Sequence, residues 1–145
     1  MKAFNALQPL GLLLLRVALA IIFIYHGYPK IAHAGGGMQE FFVQHGLPGY
    51  FLYISGVLET FGGGLLLLGL FTRPTALLLA IEMGVAIWKV HSSGGFYAVH
   101  NYELPLTIAT ACFALATVGA GMLSVDHALF GEGGSHSRSA KTPKK

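Results

Sequence analysis

The chain has 145 residues, room for one domain of ordinary size. Hydrophobic residues make up 54% of it and charged residues only 10%, against about 25% charged in average soluble proteins. So few charges cannot clothe a water-soluble core, and lipid must solvate much of the chain. The net charge of +3 is modest and no nucleic-acid partner is expected. Cys112, alone in an apolar run, excludes an intrachain disulfide, a CxxC redox pair and zinc-finger spacing.

Apolar character runs from about Pro9 to Tyr28, broken by Arg16 before His26 is reached. Lys2 and the Ala32-His33-Ala34 triplet imitate a cleavable secretory signal, but Arg16 breaks an apolar stretch already too long for one. A first span over about residues 9–29 is the better expectation, ended by Pro29 and Lys30 and followed by a Gly35-Gly36-Gly37 joint. Met38 to His45 is too short to cross a bilayer, and its Phe41, Phe42 and Val43 predict a short interfacial helix. Gly46, Pro48 and Gly49 turn the chain into a second span over about residues 50–71, long enough to cross, with Glu59 inside it and Gly62, Gly63 and Gly64 just beyond. Thr72-Arg73-Pro74 is a tight reversal. The third span, about residues 74–91, places Ala76, Ala80 and Gly84 four apart, a spacing that lets a neighbouring helix come close. Glu82 lies near its centre, with Lys89 two turns on along the same face. A Gly-, His- and aromatic-rich loop over Ser92 to Tyr102 leads to a fourth span, about residues 104–125, in which Thr107, Thr110 and Thr117 can bond their own backbone. The expected fold is therefore all-α, an integral membrane four-helix bundle over residues 1–130 with the short interfacial helix between helices 1 and 2. The Gly-, Ser- and Lys-rich stretch 131–145 is expected to be a disordered cytoplasmic tail.

Threading four helices puts Lys2, Arg73, Arg138, Lys141, Lys144 and Lys145 on one side, which predicts both termini in the cytoplasm of a bacterial-type plasma membrane. The other side collects Tyr25, Tyr28, Tyr50, Tyr53, Trp88, Phe96, Tyr97 and Tyr102.

Counting depth at about 1.5 Å per residue brings Arg16, Glu59 and Glu82 from three helices near the midplane. Each such charge costs about 2.5–3.5 kcal/mol at a helix centre, so Arg16 is expected to pair with Glu59 or Glu82. The second carboxylate would then share the arginine or carry a proton. A polar clasp with no chemistry fits these residues too. A second polar layer, His26, Lys30, Lys89, His91, His100, Asn101 and Glu103, would line a vestibule leading inward, or would simply be hydrated. Imidazole suits haem and copper, but no HxxxH or CxxC spacing supports a site at His26, His91 and His100, and no metal is expected.

These residues carry a resemblance. Arg16 in LLRVALAIIFIYHG, Lys30 beyond it and the Gly46-Leu47-Pro48 turn are similar to the DoxX family of small membrane proteins. So are Glu59 with Gly63, LLLLGLFTR ending in Arg73, Asn101-Tyr102-Glu103-Leu104 and Ser124-Val125-Asp126, together spanning about residues 10–130. Gly119-Ala120-Gly121-Met122 departs from the Gly-Pro-Gly-Arg that relatives often carry. The resemblance implies a membrane subunit or accessory of an oxidoreductase, near the quinone pool, with no covalent cofactor. The first reading is thus a quinone-linked subunit. Arg16, His26, Lys30, Glu59, Glu82, Trp88, Lys89, His91 and Glu103 would form the pocket, Glu59 and Glu82 would exchange protons, and a soluble or membrane redox partner would supply electrons. Whether the chain catalyses anything alone is left open. The alternative is a non-catalytic scaffold or assembly partner for a soluble redox or metal-handling protein. A solute or proton pathway would require homo-oligomers, which the small-residue faces permit.

Overall fold

The computed structural model describes residues 2–33, 36–91 and 97–131, and every element among them is helical. In chain order these are α1 (Lys2–Ala32), α2 (Gly36–Gln44), α3 (Phe51–Leu68), α4 (Thr72–Ala86), which continues as a π-helical turn over Ile87–His91, α5 (Val99–Val118) and α6 (Val125–Phe130). Three described segments are long and apolar enough to cross a membrane: Asn5–Ala32, Phe51–Leu68 and Thr72–His91. Most of the tail expected from residue 131 onward, and residues 92–96 of the loop before α5, lie outside the described residues.

Apolar faces assemble the long helices into two antiparallel pairs, α1 with α3 and α4 with α5, joined mainly where α3 meets α4. The core between them is Leu19, Ala20, Phe23, Leu66, Ala76, Leu79, Ile108, Cys112 and Leu115, all buried. Outward-facing Ile21, Phe61, Leu78, Ile81 and Phe113 are exposed, as an apolar solvent requires. The α1–α3 seam is tight because glycines face backbone. A methyl at Gly27 would lie 2.7 Å from the Thr60 nitrogen, and one at Gly63 3.1 Å from the Ala20 carbonyl. The stripe expected to allow close approach, Ala76, Ala80 and Gly84, serves in part: Ala76 is buried and Ala80 packs against the core, whereas Gly84 faces open space.

Boundaries differ from expectation for identifiable reasons. Helix α1 starts at Lys2 and runs through Pro9 and Pro29. The ring at Pro29 does not stop the helix, because the next turn closes with the His33 amide donating to the Pro29 carbonyl at 2.9 Å. Helix α5 ends at Val118, short of the expected residue 125. Gly119 and Gly121 take φ of 93° and 79°, conformations that break a helix, and Ser124 then opens α6 by accepting from the His127 amide at 3.1 Å. Within α5, Thr107, Thr110 and Thr117 do bond their own backbone, donating to the carbonyls of Glu103, Leu106 and Ala114.

Candidate functional site

Lys30 and Glu59 meet because α1 and α3 lie so close. The Lys30 Nζ donates to Glu59 Oε2 at 2.6 Å and to Ser55 Oγ at 2.8 Å. The Glu59 side chain is 4% exposed and that of Lys30 21%, so the pair is largely removed from solvent. Ser55 stands one helical turn before Glu59, on the same face of α3. That i, i+4 spacing was the signal by which it could have been added to the expected site. Phe42 of α2 lies beneath the ammonium, its ring centroid 6.0 Å from Nζ.

This polar group forms one wall of a cavity of about 580 Å³ between the two helix pairs, partly covered by α2. Pockets of this size commonly hold a small organic molecule. Its polar lining is His26, Lys30, Ser55, Glu59, Glu82 and His91, and the remainder is apolar, including Phe23, Leu58 and Ile108 at depth and Phe41 and Phe42 from α2. Ile54, Leu78, Ile81 and Leu104 line it and are also exposed, so the cavity meets the surface at an apolar rim. Both Glu82 oxygens are buried, and neither makes a hydrogen bond with a described residue. The charges of Glu59 and Lys30 act on Glu82, and the Ser55 hydroxyl is a nearby donor to it, although no hydrogen bond within 3.5 Å joins them. His26 and His91 each direct Nδ1 at a backbone carbonyl, of Ile22 at 2.8 Å and Ala86 at 3.0 Å. A carbonyl only accepts, so Nδ1 carries the hydrogen in both rings.

Of the nine residues expected to form the pocket, five converge on the cavity: His26, Lys30, Glu59, Glu82 and His91. Arg16, Trp88, Lys89 and Glu103 do not line it. The expected pairing of Arg16 with Glu59 or Glu82 is corrected. Arg16 is buried at the opposite end of the molecule, where its Nε donates to the Leu66 carbonyl at 3.1 Å. Its Nη1 donates to Ala120 and Leu123 at 2.7 and 2.9 Å, and Nη2 to Leu67 at 3.4 Å. These carbonyls are freed where α3 and α5 terminate, and the guanidinium fork satisfies several at once. Asp126, part of the family resemblance but not among the expected site residues, completes this end. Its carboxylate accepts from the Phe71 and Thr72 amides at 2.7 and 2.9 Å, and its own amide donates to the Gly69 carbonyl at 2.8 Å. Lys89 misses the cavity because the wider π turn takes up an extra residue and brings Val90 and His91 onto the Glu82 face. Its ammonium sits 4.6 Å from the Trp88 ring centroid instead. Glu103 and His100 are exposed at the start of α5. Among the described residues, no group of three or more His, Cys, Asp or Glu side chains converges as a metal site.

Apolar spans around a cavity with one ionic wall define a helical membrane protein. The sequence matches the DoxX family over residues 11–92, and the chain belongs to that family. "Putative oxidoreductase CatD" of Bacillus subtilis (strain 168) is 35% identical, over 83% of this chain and 88% of that protein. Two Escherichia coli (strain K12) proteins are similar over 85% of this chain each. Inner membrane protein YphA is 33% identical with 93% of its length covered, and inner membrane protein YqjF is 35% identical with 95% covered. No solved structure matches the chain.

Proposed function

We propose that the chain is the membrane subunit of a quinone-linked oxidoreductase, taking a quinone or similar small redox substrate into the cavity between its helix pairs. In this reading α1, α3, α4 with its π turn, and α5 all span a bacterial inner membrane. Both termini face the cytoplasm, and α2 lies at the outer interface. The observation that carries the reading is an apolar cavity whose single ionic wall is Lys30, Ser55 and Glu59, with the unpartnered Glu82 nearby. A quinone has the matching division: carbonyl oxygens that accept hydrogen bonds and an apolar tail. The exposed apolar rim at Ile54, Leu78, Ile81 and Leu104 lets such a molecule arrive from the bilayer without crossing water. The Lys30 ammonium has a third hydrogen beyond the two already given to Ser55 and Glu59, and it can be donated to a headgroup. No electron carrier is evident in the chain's own thiols, since Cys112 is single and buried, so a partner protein supplies the electrons. The name of the Bacillus subtilis relative supports an oxidoreductase setting.

Purification in mild detergent followed by lipid extraction is expected to return quinone with the wild-type protein. Glu59→Gln removes the charge that holds Lys30, and is expected to abolish quinone-dependent turnover while insertion persists. Unchanged turnover in that variant would sink the reading. A scaffold for a soluble partner is the second reading, favoured by the aromatics at the Lys30 end, where Tyr97 is 94% exposed. A partner recovered from native membranes equally well with wild type and with Glu59 and Glu82 both neutralised would favour it.

A further inference from the structure

We infer that Glu82 stands in the cavity as a neutral carboxylic acid and supplies the hydrogen-bond donor that a bound quinone-type carbonyl accepts. The cavity thereby selects an uncharged headgroup and refuses an anionic amphiphile. This inference rests on the quinone reading and names the residue and charge rule behind its selectivity.

The charges of the site lead to it. Among the described lining residues there are one lysine and two carboxyl groups. The lysine is committed, at 2.6 Å, to Glu59. Glu82 is left with both oxygens sealed from solvent and no hydrogen-bond partner. An ionised Glu82 would set a second negative charge beside Glu59, with the nearby Lys30 already paired to Glu59, in a medium where an unpaired charge is costly. His26 and His91, the other titratable groups lining the cavity, are each held through Nδ1 by a backbone carbonyl of their own helical segment.

A neutral acid carries one O–H donor. The Ser55 hydroxyl acts on Glu82 from nearby, but the two make no hydrogen bond within 3.5 Å, and Ser55 already accepts from Lys30. Glu82 lines the cavity and its O–H has no acceptor among the described residues, so a ligand carbonyl completes it. A fatty-acid carboxylate would instead bring a third acidic group to a wall whose single cation is already paired.

Trp88 is the single tryptophan of the chain and stands in the same π-helical turn as the wall residues Val90 and His91. Its fluorescence therefore reports a bound quinone without any need for turnover. The test titrates detergent-purified full chain with decylubiquinone and follows quenching. Wild type is expected to be quenched saturably, and oleate is expected not to displace the probe. Glu82→Gln keeps an N–H donor and should bind within about threefold of wild type. Glu82→Leu lacks the donor and should bind about tenfold more weakly or worse, the usual loss for a buried hydrogen bond. Equal affinity in Glu82→Leu overturns the inference. Glu82→Gln failing as badly as Glu82→Leu overturns it too, since that would assign the role to a carboxylate charge. Displacement by oleate at concentrations comparable to the probe overturns the selectivity. Infrared spectroscopy gives a second readout that survives misfolding of the leucine variant. Wild type should show a protonated-carboxyl carbonyl band that is absent in Glu82→Gln, present in Glu59→Gln and shifted by the probe. A wild-type spectrum without that band overturns the inference. Absence of saturable quenching in wild type would instead remove the quinone reading, and the inference with it.

Discussion

Arg16 shows how a buried charge in an apolar helix can be satisfied without a carboxylate in contact. Its four donor contacts end on backbone carbonyls of Leu66, Leu67, Ala120 and Leu123, with the Asp126 charge acting on it through space. Replacing it with methionine keeps the stem and deletes every bond; the Leu66 carbonyl keeps the Gly69 amide, but those of Leu67, Ala120 and Leu123 lose the guanidinium, at about 1–3 kcal/mol for a buried one. Arg16→Met should lower stability in detergent by ~3 kcal/mol or more, visible as a lower thermal midpoint. Quinone-probe affinity per folded molecule should be unchanged, because the Lys30 end is untouched. An unaltered midpoint would take Arg16 out of this role. Gly69→Ala should act at the same place. The residue has φ +69°, and a methyl there would fall 2.7 Å from the Arg16 Cζ. The sequence made Lys30, Glu59, Glu82, His26 and His91 legible as polar groups in apolar surroundings, and all five converge. Depth counting misplaced Arg16 because it supplies height along a helix but not the direction a side chain faces. Nor does it show which chain reversal will expose carbonyls nearby.

Helix existence was readable from the apolar runs, and α1, α3, α4 and α5 stand where those runs lie. Their ends were less readable because local backbone chemistry decides them: the left-handed glycines after α5, the π turn after α4 and the first turns of α1 ahead of Pro9. The glycines within the helices divide into two kinds that the sequence alone does not separate. Gly27 faces the α3 backbone, so an added methyl meets atoms that cannot rotate away. Gly27→Ala should force α1 and α3 apart, cost about 1–3 kcal/mol and loosen the Lys30–Glu59 pair, reducing probe binding as well as stability. Gly84 has nothing within 4 Å of the added carbon, so Gly84→Ala should leave binding alone and stabilise α4 by up to about 1 kcal/mol through helix propensity. Thermal scans of the two variants side by side check the contrast; equal effects would mean that the α1–α3 seam is not the tight one.

The whole molecule has a fastened end and an open end. Arg16 and Asp126 tie the ends of α3 and α5 to the start of α4. Toward the other end the cavity lies between the two helix pairs, with α2 covering it among the described elements. The cavity and the clasp are thus separated along the long axis, so the proposed binding at one end need not loosen the other. The proposed orientation puts the open end outside the cytoplasm, and the native cysteine makes this testable. Cys112 is fully buried, so an added cysteine reports against a low background. Tyr97, at the open end, and Leu129, at the fastened end, are both exposed. In intact spheroplasts, Tyr97→Cys should react with a membrane-impermeant maleimide, whereas Leu129→Cys should react only after permeabilisation. The reverse pattern would invert the orientation and place the cavity on the cytoplasmic side. Labelling of both before permeabilisation would mean that α5 does not span.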